Sequence, residues 1–530
     1  MSAERDALAA AALAELPKIL TLQDRTPLSA TYGCFDRAYW HYRMMDFPCG
    51  MSQEFVLPLA LAWDLPIPGN PYHRQPAIAA WAEAGIRYAA RSAHADGSCD
   101  DYYPYERAAG AAAFSLYACL EAARRLGLED DPEIAAFLEK RGRWLATHRE
   151  SGRLSNHEAL IVACLARLAE RSETWEAPLA ERVTRLRSWQ HAEGWFDEYG
   201  GADPGYLTLT VGLLAETDRR RPDLGLGEPC ARAIDFLAAT VHPDGGIGGE
   251  YASRATLNYF PHGLEIAGAW SPAALALARL AARPLTELRE PAVADDHIVG
   301  HHVWSRLLAW EEWHARRPAP LGPPEGRQQF DGARLLVDAR GTTRLYLGWS
   351  RGGAFRLYEG DRLALADTGP SFRMADGRVA VTHLEGSTAR IEQDRIEVTG
   401  RMAWAKAARL TPAKSIVLRA LMLTLGRFFP DLIRRLLQRL LVTGRKDAPF
   451  VFRRVLAWRD GGWTVTDTLA PDTGWAGVEQ AGIGGFQTSV TTIMARVWAP
   501  EQLQPWCDLT DELAGLEGTL PLVVERRPGR

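Results

Sequence analysis

Three loops in the first half of the chain share one chemical order, and this repeat constrains the fold more than any other feature. They are ADGSCDDYYPYERAAGAAAFSLYACLEA from Ala95, AEGWFDEYGGADPGYLTLTVGLLAE from Ala192 and PDGGIGGEYASRATLNYFPHGLEIAG from Pro243. Each runs from an acid and a glycine through a short hydrophobic stretch to acidic and tyrosine residues, and then into helical periodicity. ESGRLSNHEALIVACLARL, from Glu150, is a weaker fourth member. Separations of about 40 to 55 residues hold a pair of helices of roughly 15 residues each plus loops. Helical hairpins at this period stack as a solenoid or close into a ring. The shared polar chemistry of the loops favours a ring, in which they would meet around one cleft.

The grammar changes further along. Up to about residue 317, apolar residues recur at three- and four-residue spacing, as in PAIAAWAEAGIRYAARSA and EIAAFLEKRGRWLATH. From about 328, short β-branched or aromatic runs alternate with Gly and Asp turns, as in ARLLVDARGTTRLYLGWS and GWTVTDTLAP. RRPAPLGPPEGRQ, at 316–328, reads as the linker. The expected fold is α+β and multidomain. An α/α toroid over 1–317 precedes an antiparallel β-sandwich over 328–530, with a helical insertion around 413–445.

Composition narrows the function. The chain has 61 basic and 66 acidic residues among 530, and a net charge of -5, which argues against nucleic acid as a partner. Its 18 Trp, 15 Tyr and 16 Phe suit stacking on sugar rings as well as core packing. Glu4, Arg5 and Asp6 precede the N-terminal alanine run and Glu15 interrupts it, unlike a secretory signal. The seven Cys form no CxxC pair and read as buried thiols. A cytoplasmic protein, peripheral at an inner membrane, is expected.

The repeat loops hold the candidate chemistry. Ser155 or Asn156 reads as an N-cap. Asn156 and His157 are also an amide and an imidazole side by side. In β-elimination of a uronate, an amide stabilises the developing enolate. A His or Tyr takes the proton beside the carboxylate, and a Tyr protonates the leaving oxygen. Tyr206, which follows Gly205 at the start of a helix, could turn its hydroxyl to the cleft, and Tyr103 is another candidate. Arg254 and Glu250 could pair or hold an anionic substrate, and His262 follows Pro261 at a helix start. In the aromatic segment 31–55, Trp40 could stack on a sugar and Arg37 grip a carboxylate. Asp101, Asp197, Glu198 and Glu250 also supply the paired acids of a glycoside hydrolase. His297 and His301 stand four apart in DDHIVGHH, but the stretch lacks a zinc-protease pattern, so no metal and no cofactor are expected.

The order of a helical ring and a β-sandwich resembles the heparinase II/III-like polysaccharide lyases. GCFDRAYWHYRMMDFP, EGWFDEYGGADPGYL and GGEYASRATLNYFPHG look similar to the heparinase-like proteins of bacterial surface-polysaccharide gene clusters. The resemblance implies that Asn156, His157 and Tyr206 act on an acidic polysaccharide. One departure is plain: where those lyases carry a His-Ala-Asp triplet ahead of a strand, Gly352, Gly353 and Ala354 stand here, although Asp367-Thr368-Gly369 keeps the following turn.

Residues 413–445 carry helical grammar inside the sheet-forming half. A broad Leu and Phe face is interrupted by Arg419, Arg427, Arg434, Arg435 and Arg439, with a break expected at Pro430. Such a helix can lie in a membrane interface. The leading expectation is a polysaccharide lyase. The alternatives are a glycoside hydrolase using paired carboxylates and a non-catalytic glycan-binding or assembly protein at the membrane surface.

Overall fold

In the computed structural model, residues 3–150, 152–287, 293–294, 296–405, 411–438, 445–485, 494–495 and 504–527 are described. Helices occupy the chain from Ala3–Ala14 to Val299–Glu311, and the main strands begin at Gly326–Phe330. The helices are of two kinds. Ala109–Leu126, Ser155–Ala169 and Pro204–Arg220 are buried over most of their circumference. Pro132–Thr147, Glu176–Arg187 and Gly227–Thr240 follow them in alternation and bury a single stripe, as amphipathic outer helices do. Ala3–Ala14 packs against both Pro272–Thr286 and Val299–Glu311, so the end of the helical part returns to its beginning.

One glycine in each repeat loop sets this arrangement. His94 N donates to Ser98 O and Gly97 N to His94 O, at 2.9 Å each. His191 with Trp195 and Gly194, and His242 with Gly246 and Gly245, make the same pair of bonds at 2.8 to 3.0 Å. Asp24, Cys34 and Gly33 form the pair again around a longer loop. The glycines have φ of +92°, +100°, +84° and +96° at Gly97, Gly194, Gly245 and Gly33, a conformation that glycine adopts without steric cost. Each sits on the backbone of a later outer helix. A Cβ would lie 2.8 Å from Arg141 N at Gly97, 2.3 Å from Arg232 O at Gly194, 2.4 Å from Leu280 O at Gly245 and 2.1 Å from Ala84 O at Gly33.

The strands from Gly326–Phe330 to Arg362–Asp367 form a five-stranded antiparallel sheet in chain order. Most later strands join a nine-stranded sheet built on Arg395–Trp404, Asp447–Arg459 and Gly462–Pro471. Burial alternates along Asp447–Arg459, as it does in a strand with one face covered. Leu345, Leu347 and Phe355 of the first sheet share a core with Phe372, Val398, Phe450 and Val465 of the second. The five-stranded sheet docks on the third repeat loop. Tyr346 Oη donates to Val241 O at 2.7 Å, Tyr358 Oη meets His242 Nδ1 at 3.1 Å, and Arg356 pairs with Glu250 through two contacts of 2.9 and 3.0 Å.

The insertion is helical over Pro412–Leu421 and Pro430–Gln438, with a π-helical turn, Met422–Gly426, between them. Pro430 opens the second helix, where its missing N–H leaves no bond unmade. The tail of this segment, 439–444 with Arg439, lies outside the described residues.

A Gly194→Ala substitution would combine an unfavourable φ with overlap onto Arg232 and should lower stability by about 3 kcal/mol. Gly360, at φ +63° with nothing within 4 Å of an added Cβ, serves as control and should lose about 1 kcal/mol as alanine. Urea unfolding midpoints measure both, and equal losses would show that docking onto the outer helix contributes nothing.

Candidate functional site

The repeat loops open on one cleft of about 630 Å³ of empty space, its mouth included. Asp101, Tyr102 and Glu106 reach it from the Ala95 loop, Glu150 and His157 from the Glu150 loop, Tyr199 and Tyr206 from the Ala192 loop, and Arg254 from the Pro243 loop. His297, His301 and Arg434 complete the wall from the end of the helical part and from the insertion. The backbone is strained around this rim: Tyr105, Arg107, Tyr199 and Ala255 hold φ between +51° and +60°. Non-glycine residues rarely adopt that region unless the surroundings enforce it.

His157 is set by two contacts. Its Nδ1 stands 2.8 Å from Glu150 Oε2, while the other oxygen of that carboxylate meets Arg434. Burial alone would raise the Glu150 pKa, but Arg434 and His157 outweigh it and hold the carboxyl down at about 2. An ionised Glu150 only accepts, so the proton sits on His157 Nδ1 and Nε2 is left as the basic nitrogen. Gly110, on the helix below, lies where a Cβ would come within 2.4 Å of the His157 ring.

Arg254 anchors the other wall. Its Nη1 donates to Glu198 Oε1 at 2.6 Å, and its guanidinium lies over the rings of Tyr206 at 4.4 Å and Tyr199 at 4.8 Å. Asp203 ties these loops together by accepting from Tyr206 N at 2.9 Å, Thr256 Oγ1 at 2.6 Å and Arg254 N at 3.1 Å. Tyr199 is pushed up to about 12 by burial, against the pull of Arg254.

Carboxyl groups in the cleft differ in character. Burial and the nearby Asp101 push Glu106 up to about 7, although it accepts from Tyr102 N at 2.7 Å and Asp101 N at 3.2 Å. Behind the wall, burial pushes Glu54 well above the usual range. Its Oε2 meets His301 Nδ1 at 2.5 Å, and the His301 ring stacks on Phe114 at 3.9 Å.

The structure brings His157, Tyr206 and Arg254 together and places other expected residues elsewhere. Asn156 has no exposed surface, and its amide donates to Glu198 Oε1 at 2.9 Å. The expected N-cap by Ser155 or Asn156 does not form. Leu154 occupies that position, and the Glu198 carboxylate draws Ser155 Oγ to 3.0 Å instead. Glu250 is buried against Arg356, between the helical and sheet parts. His262 is buried beside Trp304, with Nδ1 2.7 Å from Ser305 Oγ, and burial lowers its pKa to about 4. Arg37 pairs with Asp296 at 3.5 Å, and Trp40 Nε1 donates to Leu22 O at 2.7 Å. Tyr103 is partly buried, and its pKa is raised by burial and by Glu106. None of these six lines the cleft.

Gly352 and Gly353, in place of the His-Ala-Asp triplet, have φ of +66° and +71°. A Cβ at Gly352 would lie 2.4 Å from Thr382 O, so the backbone here excludes larger residues. Glu150 and Arg434 were not picked out as site residues. Glu150 is the acid of the weaker repeat, but Asp96, Glu193 and Asp244, the acids of the other three, do not line the cleft, so the repeat carries no signal for it.

No protein-family model matches the chain, and no curated protein matches it in sequence. Solved structures do. A chondroitin AC lyase from Streptomyces coelicolor A3, in complex with chondroitin sulphate, matches 99% of this chain and 79% of its own at a TM-score of 0.53 and 12% identity. A heparan sulfate lyase from Pedobacter heparinus matches 97% of this chain and 80% of its own at a TM-score of 0.41 and 10% identity. A chondroitinase AC lyase seen with oligosaccharides covers 99% and 81% at a TM-score of 0.46 and 10% identity. At these identities the likeness is one of fold, and the first match carries it.

The Glu150 pairing has a definite pH signature. Its folded pKa of about 2 lies below the unfolded value of about 4.3. The stabilisation is therefore complete above about pH 4.3 and is lost as pH falls through about 2. Arg434→Met should be less stable than wild type at about pH 5, and that margin should shrink as pH falls from about 4.3 towards about 2. Denaturant unfolding at each pH measures it, and a margin independent of pH would remove Glu150 from the account.

Proposed function

We propose that the protein is a polysaccharide lyase that cleaves an acidic polysaccharide by β-elimination and serves surface-polysaccharide metabolism. The observation that carries this reading is the meeting of His157, Tyr206 and Arg254, from three separate repeat loops, in one cleft of a chain with a lyase fold. In this reading the helical part is the α/α toroid and the sheets are the β-sandwich. His157 Nε2 takes the proton beside the substrate carboxylate, with Glu150 stabilising the imidazolium that forms. Tyr206 protonates the leaving oxygen. Arg254, held by Glu198, attracts the substrate anion, and Asn156 positions Glu198 from behind. With uronate-containing polymers the enzyme should release an unsaturated, ultraviolet-absorbing product. His157→Ala and Tyr206→Phe should each lower its rate by roughly 100-fold or more. New reducing ends without unsaturation would overturn elimination.

That outcome would select the second reading, hydrolysis, for which the observation is Glu106. Pushed up to about 7 beside Asp101, Glu106 would be a proton donor at neutral pH.

The insertion supports a further part of the proposal, contact with an anionic membrane surface. Ile416, Val417, Leu425, Phe428, Phe429 and Leu432 are exposed, with Phe428 at 68%. Among the described residues, no helix is long and apolar enough to cross a membrane. Vesicles containing phosphatidylserine should co-sediment the protein, and Phe428→Ser with Phe429→Ser should reduce binding on the order of tenfold. Equal binding by the double variant would overturn this contact.

A further inference from the structure

At the rim of the cleft, three side chains converge whose pairing the lyase chemistry leaves unused. Cys49 Sγ lies 3.0 Å from Asp101 Oδ1. His297 Nε2 lies 3.4 Å from that same oxygen, and His297 Nδ1 lies 3.9 Å from Cys49 Sγ. One ligand atom from each residue falls within 4.8 Å of the other two. Metal bonds of about 2.0–2.3 Å at tetrahedral angles place ligand atoms roughly 3.3–3.6 Å apart. Only one ring nitrogen of His297 can serve, so the three ligand atoms, all within 4.8 Å of one another, have to close by up to about 1 Å around an ion.

We propose that Cys49, Asp101 and His297 form a three-ligand transition-metal site of the zinc type, with its open position turned to the cleft. The donor set decides the class of ion. Calcium and magnesium take oxygen ligands, whereas a thiolate with an imidazole selects zinc and its neighbours in the first transition row. Three protein ligands, with two of them, Asp101 and His297, lining a substrate cleft, is the arrangement of a catalytic rather than a closed structural site. This departs from the sequence reading, in which His297 was paired with His301 and no third ligand was indicated. His301 instead belongs to Glu54, and the ligands come from segments far apart in the chain.

The protein already holds these segments together. Cys49 N donates to Asp36 Oδ2 at 2.9 Å, and Gly50 N donates to Asp100 O at 2.7 Å. Gly50 lies so close to the Ala95 loop that a Cβ would stand 2.4 Å from Cys99 Sγ. Asp36 in turn caps the short helix Arg37–Trp40. The Cys49 and Asp101 backbones are thus fixed next to each other, and a bound ion would link both to the entry of Val299–Glu311. An ion at this rim would take the carboxylate of an acidic sugar at its open position, beside His157 and Tyr206. That role rests on the lyase reading, whereas the binding of the ion does not.

The test uses the full chain, carrying Cys507→Ser to remove the exposed thiol. After treatment with chelator, zinc is added and quantified by elemental analysis. Cobalt(II) is added in a parallel sample as a spectroscopic probe. One zinc per chain is expected, with cobalt giving tetrahedral visible bands and a sulfur-to-cobalt band in the near ultraviolet. Cys49→Ser should abolish the sulfur band. His297→Gln and Asp101→Asn should each weaken zinc binding by at least the roughly 10–100-fold that loss of a supporting residue produces. Circular dichroism shows which variants are folded, and the three substitutions lie on separate segments, so failure of one to fold leaves the others decisive. Zinc well below one per chain, a cobalt spectrum without the sulfur band, or undiminished binding in folded His297→Gln and Asp101→Asn would overturn the site. Zinc binding with no lyase product would uphold the site and sink the lyase reading. Full lyase activity in zinc-free protein would overturn the proposed carboxylate role.

Discussion

The helical part depends on a close approach of backbone to backbone, repeated four times. Gly33, Gly97, Gly194 and Gly245 each press a left-handed turn against the peptide groups of an outer helix. The approach fixes the distance between one hairpin and the next and the direction in which the loop leaves it. No side chain could do this, because a single carbon atom already overlaps the helix backbone at all four places. The residues after the glycine then have one way to run, towards the starts of the inner helices. The cleft chemistry therefore follows from the packing device: residues a few positions beyond the docked glycine reach a shared centre.

That geometry carries strain, and the strain lies where the chemistry is. Tyr105, Arg107, Tyr199 and Ala255 occupy left-handed backbone in the stretches between docked glycine and inner helix. Each would relax if its loop were free. They are held by the bonds that define the site, such as Asp100 accepting from Tyr105 N and Arg107 N, and Arg153 O accepting from Tyr199 N.

Part of this was legible in the sequence because it is local. Repeat spacing, helical period and the change to alternating strands are properties of short windows, and the helices and strands fall where those windows put them. His157 drew notice as an imidazole beside the Asn156 amide and Tyr206 as a tyrosine at a helix start, both features of short windows, and both line the cleft. The partners were not legible. Glu150 is set by Arg434, a residue 284 positions away, and Cys49 meets His297 across 248 positions. Trp40 and Arg37 fitted a sugar-binding wall by composition, yet their polar atoms are taken by Leu22 O and Asp296. Glu250 read as a substrate ligand, but Arg356 comes from the sheet part, and no window of sequence joins the two. Residue type suggested chemistry, but it did not predict which of several competing partners would be nearest.

The insertion shows how two readings of one segment can hold together. Arg434 enters the cleft and meets Glu150, and Arg419 reaches Asp46 on the aromatic segment. Met422 and Ile433 are buried, while Phe428 and Phe429 remain exposed. Two of the arginines that made the segment look like a membrane helix, Arg419 and Arg434, are thus engaged with the protein, and Arg427 remains exposed beside the apolar residues. Because Arg434 shares Glu150 with His157, the insertion contributes to the charge that faces His157 Nδ1. A single carboxylate thus joins the insertion to the cleft.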